Sequence, residues 1–352
     1  VKLMPIADLD AIVESVGDQL SRLHGADVLV TGGTGFFGVW LVSALLRANQ
    51  TLDLGLRVHV MSRRPEVYLT RAPEFRDAPG LHLVAADIRS FRPSADLRIT
   101  HVIHAATAAS AALNDSDPIE MAHVASEGTR QVLALARELH AERVLFTSSG
   151  AVYGKNPPEV THVREEQLGI VDPLVVRNAY AEGKRLAEFY CSAYREKYQL
   201  PVVIARCFAF VGPYLPLDVH FAIGNFMRDA LRGEPIIVQS DGSPRRSYLY
   251  ASDLVTWLLQ ILLRGEPGRA YNVGSDQDIS VGDLARLVGE QRGVPVEIRG
   301  KRDPSCPVES YVPSTERIRR ELGVAQLVDL QESVRRTMAW YEQEESHANS
   351  CC

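Results

Sequence analysis

Val28-Leu29-Val30-Thr31-Gly32-Gly33-Thr34-Gly35-Phe36-Phe37-Gly38 decides how this chain folds. An apolar strand runs into a glycine turn, and the helical pattern Gly38–Ala48 follows at once. Gly32, Gly35 and Gly38 allow a tight turn, a close approach of backbone to a pyrophosphate, and close packing of helix on sheet. The helix start at Phe36, Phe37 and Gly38 presents N–H donors to an anion. The stretch therefore reads as a dinucleotide-binding strand–turn–helix.

Outward from it, short apolar runs alternate with helical ones. The strands expected are Val28–Thr31, Arg57–Met61, Leu81–Val84, His101–His104, Val144–Thr147 and Val202–Arg206, with helices at Pro118–Leu139 and Asn178–Tyr198. Nearly continuous apolar strands alternating with helices imply a parallel sheet covered on both faces. The fold class is α/β, a Rossmann-type doubly wound sheet with a smaller C-terminal α/β substrate domain. We place the nucleotide-binding domain at 1–206, with 1–25 as a helical extension, and the second domain mainly at 207–345. Ala270–Val273 should return to the sheet, and 346–352 is a polar tail. Within the second domain Phe221–Arg232, Asp253–Leu263, Val281–Gln291 and Glu316–Leu322 read as helices, and Pro235–Val238 as a strand.

Composition sets bounds. The 352 residues carry a formal charge of −6, are 46% hydrophobic and show no basic block, which argues against nucleic acid as the main partner. No run approaches the roughly 18 apolar residues of a membrane span. The five scattered cysteines offer neither a metal spacing nor a disulfide framework, which suits a cytoplasmic setting.

Chemistry concentrates at three further places. Tyr180 and Lys184, four apart on one helix, share a face. An ammonium held beside the phenol is expected to lower its pKa from about 10, giving a base for a hydroxyl proton. Ser149, at the carboxyl end of the fifth strand, is placed to face that tyrosine. At the end of the second strand, where a carboxylate would take the ribose hydroxyls and repel a 2′-phosphate, the chain has Ser62-Arg63-Arg64. That local reading tilts toward NADP. Asp87-Ile88 after the third strand is placed to meet the adenine amino group.

Together these motifs resemble the extended short-chain dehydrogenase/reductase family, in its nucleotide-sugar epimerase, dehydratase and decarboxylase branch, from Val28 to about Gly323. The resemblance implies Ser149, Tyr180 and Lys184 as catalytic residues, and Gly32, Gly35 and Gly38 as the cofactor loop. It also implies contacts to the cofactor from Asp87, Lys184 and the segment His104-Ala105-Ala106. The family pulls toward tightly held NAD, with NADP not excluded. A UDP- or dTDP-sugar is the implied substrate, with Arg246 on its diphosphate and Asn225, Arg302 and Arg177 as further contacts. The helices at Pro118–Leu139 and Asn178–Tyr198 match those that pair two subunits through a four-helix bundle, so a homodimer is expected. No metal is expected.

The stretch Arg177-Asn178-Ala179-Tyr180-Ala181-Glu182-Gly183-Lys184 looks most like UDP-glucuronate decarboxylases, although these normally carry Glu where Ala151 stands. Ser148-Ser149-Gly150-Ala151-Val152-Tyr153-Gly154 is closer to C4 epimerases. The 4,6-dehydratases place Asp-Glu where this chain has Gly150-Ala151, which disfavours loss of water. Ala209 replaces an Asn usual in the family. The leading expectation is oxidation at C4 of a sugar followed by decarboxylation. C4 epimerisation comes next, then dehydration, and a silent regulatory protein on the same fold last.

Overall fold

The computed structural model describes residues 3–93, 97–106, 111–219 and 221–343. The polar tail expected at 346–352 lies outside them. Six parallel strands come first: β1 (Asp27–Thr31), β2 (Arg57–Ser62), β3 (Leu81–Ala85), β4 (His101–His104), β5 (Arg143–Ser149) and β6 (Val202–Cys207). Four short strands follow, β7 (Phe210–Val211), β8 (Ile236–Val238), β9 (Arg245–Ser247) and β10 (Leu249–Tyr250), before β11 (Ala270–Val273). The main sheet runs β11-β6-β5-β4-β1-β2-β3. Every pairing in it is parallel. The order reverses between β1 and β4, and the crevice outside the carboxyl ends of strands at such a point is where ligands bind in this architecture.

Burial on both faces explains the apolar strands: all of β1, β4 and β6 is buried. One face carries α1 (Ile6–Val16), α2 (Phe36–Leu52) and, from far along the chain, α8 (Ala251–Arg264). The other carries α5 (Pro118–Glu138) and α6 (Ala179–Tyr198), which pack along each other. Asp117 caps α5 by accepting from the Glu120 N–H at 3.0 Å, and Pro118 opens the helix, where a missing N–H costs nothing. The short helices α3 (Val67–Arg71) and α4 (Ala111–Ser116) lie in the connections. The N-terminal extension is not one helix. Gly17, with φ +58°, ends α1, and a 3₁₀ stretch Gly17–Leu23 completes it.

The segments of the C-terminal half that do not join the sheet bury a second apolar cluster around Ile223, Met227, Ile236 and Leu284. It is built from α7 (Ala222–Leu231), α9 (Val281–Arg292) and α11 (Leu330–Glu342), with α10 (Glu316–Leu322) packing instead near β11. Three more short strands complete the half: β12 (Asp278–Ser280), β13 (Val296–Ile298) and β14 (Ser310–Tyr311). β9 pairs with both β12 and β14, which carries Tyr311 beside Arg246.

Candidate active site

The glycine turn follows β1 directly. Gly32 has φ +73°, and a Cβ there would fall 2.7 Å from the Ala106 backbone, so this position needs glycine. Gly35 is exposed, and the Gly35 N–H donates to the Gly32 carbonyl at 3.0 Å. Val39 makes the first helical bond, to the Gly35 carbonyl at 2.9 Å. The N–H groups of Phe36, Phe37 and Gly38 therefore belong to the first turn, which has no intrahelical acceptors. Ala105, whose N–H donates to the Thr31 carbonyl at 3.2 Å, lies at the neighbouring strand end across the switch point. Behind it His104 is fully enclosed, bonded to Thr31 at 2.7 Å and Thr129 at 3.2 Å, and burial pushes its pKa down to about 3. It is a neutral brace between strands and α5.

Ser149 ends β5, and its hydroxyl accepts from the Ala151 N–H at 3.1 Å. The phenols of Tyr180 and Tyr311 lie close enough to Ser149 for it to work against the burial that raises both. Tyr180 opens α6, its N–H held by Asn114 of α4 at 3.1 Å. Lys184, one turn on, is only 1% exposed; its ammonium donates to the Thr147 carbonyl at 2.7 Å and lies 4.7 Å from the Phe146 ring centre. The three residues assigned from sequence thus meet at the carboxyl end of the sheet.

The charge state of the pair differs from the expectation. Burial pushes the Tyr180 phenol up to about 12, and Ser149 beside it offsets this only in part. Burial also pulls Lys184 down to about 8. Helical spacing does place both on one face, with the ammonium 5.9 Å from the phenol ring centre. But desolvation in the packed site outweighs the pull of the cation. In the protein alone Tyr180 is a neutral phenol.

A buried network braces this end of the sheet. Glu188, one turn beyond Lys184 on α6, accepts from Ser148 at 2.6 Å and from Arg206 of β6 at 2.8 Å. Arg206 also donates to the Tyr153 hydroxyl at 3.0 Å, which donates to Asn272 at 2.6 Å. At Gly183 α6 packs tightly on α5: a Cβ there would lie 2.8 Å from that of Ala125.

The remaining sequence assignments fall into three groups. Arg246 reaches the site: its guanidinium stands 6.0 Å from the Tyr311 ring centre, paired with Glu309 at 2.8 Å. Arg302 is tied to Ser243 at 3.3 Å and the Cys306 carbonyl at 2.9 Å, so its contacts run to the Asp241–Ser243 loop. Asn225, on the first turn of α7, accepts from Arg228 at 3.3 Å, and Arg177 is exposed, its carbonyl held by Asn114 at 2.9 Å. At the ribose end, Ser62 lies 3.5 Å from Thr34 of the glycine turn, and Arg63 follows it on the surface. Asp87 is gripped by Arg89 through bonds of 2.9 and 3.1 Å, which hold its carboxyl down near about 2. Ile88 packs at the edge of the α5/α6-side core. Tyr311 was missed. Nothing near it marks it, since it sits on a two-residue strand 131 positions after Tyr180.

A sequence profile described as the NAD dependent epimerase/dehydratase family matches residues 28–274. The chain belongs to this family. Among its curated relatives, UDP-glucuronic acid decarboxylase 6 of Arabidopsis thaliana is 29% identical over 307 residues, covering 87% of this chain and 86% of that one. UDP-glucuronic acid decarboxylase 1 of Xenopus tropicalis is 28% identical over 328 residues, covering 93% and 75%. Epimerase Mth375 of Methanothermobacter thermautotrophicus shares the fold with a TM-score of 0.79 at 24% identity, over 96% of this chain and 98% of that one. WbmF of Bordetella bronchiseptica, solved with NAD+ and UDP, does so at 0.75 and 24%, over 94% and 96%.

As a member of this family the protein is an NAD-dependent enzyme of the extended short-chain type. The geometry fits the cofactor: first-turn N–H groups at Phe36–Gly38, an open position at Gly35, and a Gly32 whose missing side chain lets β1 and β4 ends close together. Among the described residues no helix is long and apolar enough to cross a membrane, and no cluster of three or more His, Cys, Asp or Glu could hold a metal.

Proposed function

We propose that this enzyme oxidises the C4 hydroxyl of a UDP-hexuronate and releases CO2 from the resulting 4-ketone. The observation that carries the reading is Ser149 set beside the Tyr180 phenol at the end of β5, with Lys184 buried one turn below. The family and the decarboxylase relatives support a nucleotide-sugar-modifying enzyme. The Gly32–Gly38 turn would hold NAD, which when bound would supply the hydride acceptor and later the donor. Tyr180, relayed by Ser149, takes the C4 hydroxyl proton. Lys184 beneath it fixes the tyrosine's surroundings and can hold the ribose of the cofactor. Oxidation leaves the C5 carboxylate β to a ketone. The C5–carboxylate bond then breaks, its electron pair passes to the ketone oxygen as an enolate, and C5 is reprotonated. Arg246 is the contact we assign to the diphosphate, its planar guanidinium suiting phosphate oxygens.

One observation favours a second reading. Gly150 and Ala151 put no carboxylate beside Ser149, and a C4 epimerase needs only redox at C4 and a turn of the ketone.

Pure enzyme incubated with UDP-glucuronate, UDP-glucose and dTDP-glucose separates these outcomes. CO2 from the first supports the proposal. No CO2, with inversion at C4 of UDP-glucose, replaces it with epimerisation. Tyr180→Phe should lower turnover roughly 10²–10⁴-fold while NADH still binds. We also propose a homodimer through α5 and α6, whose outer faces expose Ile119, Leu186 and Phe189. A monomeric mass by light scattering would refute it.

A further inference from the structure

We infer that the ribose end of the cofactor crevice is built for a phosphate monoester, so that the enzyme binds NADP(H) at least as well as NAD(H). The family to which it belongs is NAD-dependent, so this concerns what this chain has changed. Three observations converge at the carboxyl end of β2. First, the strand ends in Ser62-Arg63-Arg64, with no carboxylate to accept from ribose hydroxyls or to repel a 2′-phosphate.

Second, the site is organised toward the glycine turn. The Ser62 hydroxyl accepts from the Arg64 N–H at 3.3 Å and stands 3.5 Å from that of Thr34. Arg71 anchors the same corner, donating to the Thr34 carbonyl at 2.8 Å. Two hydroxyls, one from the strand end and one from the glycine turn, therefore meet at this corner.

Third, the arginines divide by what they hold. Arg71 is committed to Thr34, and Arg89 to Asp87 at 2.9 Å and Glu120 at 3.1 Å. Arg63 and Arg64 are exposed, and among the described residues neither guanidinium makes a hydrogen bond or close ion pair. Asp87, close enough to feel the charge of Arg63, is already neutralised by Arg89. Glu66 is the other acid nearby in the chain and is exposed. The uncommitted cations are thus the two that follow the ribose-reading position, and a dianionic phosphate there gains charge-assisted bonds that a hydroxyl does not.

The test is direct binding, independent of the sugar reaction. Nucleotide released from the purified protein by acid is identified by mass, and NADPH and NADH are then titrated by fluorescence at low and high salt. NADPH should bind within threefold of NADH or tighter, and should weaken more steeply with salt. Adenosine 2′,5′-bisphosphate should displace it better than AMP. The double variant Arg63→Ala/Arg64→Ala should weaken NADPH at least tenfold and NADH less than twofold, and Ser62→Asp should act in the same direction. NADPH binding more than thirtyfold weaker than NADH in the unaltered enzyme would overturn the inference. So would variants that weaken both alike, or a protein that binds neither.

Discussion

Gly35→Ala and Gly38→Ala should separate two jobs that the glycine turn does at once. At Gly38 an added Cβ would lie 2.1 Å from the Gly32 carbonyl oxygen and 2.4 Å from the Gly33 Cα. Both are backbone atoms of the turn, so no side chain can swing away. Helix α2 must move off β1 by roughly 1 Å to restore contact, against the packing of Trp40, Leu41 and Leu45, all fully buried. Overpacking of this kind costs about 1–3 kcal/mol, with the upper end expected where only backbone can yield. For a chain of this length that is roughly 2–4 °C in Tm. At Gly35 the Cβ meets only the Gly32 oxygen, at 3.5 Å, and φ is −81°. That is ordinary contact in an ordinary conformation, so Gly35→Ala should melt within about 1 °C of the parent. The same methyl sits on the exposed side of the turn, where the pyrophosphate must approach backbone, and should weaken NADH binding at least tenfold. Melting of the nucleotide-free proteins and an NADH fluorescence titration measure the two effects separately. A Gly38→Ala protein as stable as the parent, or a Gly35→Ala protein that binds NADH normally, would refute the reasoning.

Three further outcomes follow from the packing around the site. Glu188→Gln removes the carboxylate that holds Arg206 and Ser148 in a mostly buried setting, and stranding that guanidinium should cost about 3–5 kcal/mol in urea unfolding. Gly183→Ala pushes a methyl toward Ala125 and the Ala122 carbonyl, 3.1 Å away. It should lower kcat more than it raises KM, because it displaces Tyr180 and Lys184 together. Asp253, at the start of α8, has its carboxyl raised to about 6 by burial, partly offset by bonds from the Leu327 and Val328 N–H groups. The folded state therefore binds this proton more tightly than the unfolded chain, and the stability it contributes at acid pH is lost as pH rises through about 6. The difference in unfolding free energy between parent and Asp253→Asn should move in the variant's favour by about 2 kcal/mol from pH 4 to pH 7, and a pH-independent difference would refute the assignment.

The sheet was legible because burial on both faces forces continuous apolar runs, and each of the seven expected strands differs from its observed limits by no more than two residues. The meeting of Tyr180 and Lys184 was legible for a local reason: helix geometry alone puts the two on one face. What that geometry does not carry is the direction of the ammonium. Its partner, the Thr147 carbonyl, comes from a strand 37 residues upstream, and the desolvation that raises the phenol and depresses the amine is a property of the packed site. The short strands β7, β9, β10, β12, β13 and β14 were not read, since two or three residues cannot show a period. With them went Tyr311, and α11 went unread as well.

Tyr311 changes how the departure at Gly150-Ala151 is understood. Read from sequence, those positions looked like a loss: dehydratases resembling this chain have acids there, and decarboxylases a Glu at the second. In the folded protein a Cβ on Gly150 would lie 2.6 Å from the Tyr311 hydroxyl and 2.9 Å from both its Cζ and the Phe208 ring. The residue is small because β14 brings a phenol into that space, tilted against Phe208 with ring centres 4.8 Å apart and lying beside Ser149. Burial keeps this second phenol protonated, well above its usual pKa. The ground beside the Ser149 hydroxyl is thus held by a neutral donor and not by a carboxylate. Elimination of water needs an acid and a base at that place. Loss of CO2 from a β-keto acid, or rotation of a ketone, needs neither, because the carbonyl itself receives the electrons. The same packing that excludes a side chain at Gly150 thereby suits the two reactions proposed above, neither of which calls for a protein carboxylate at that place.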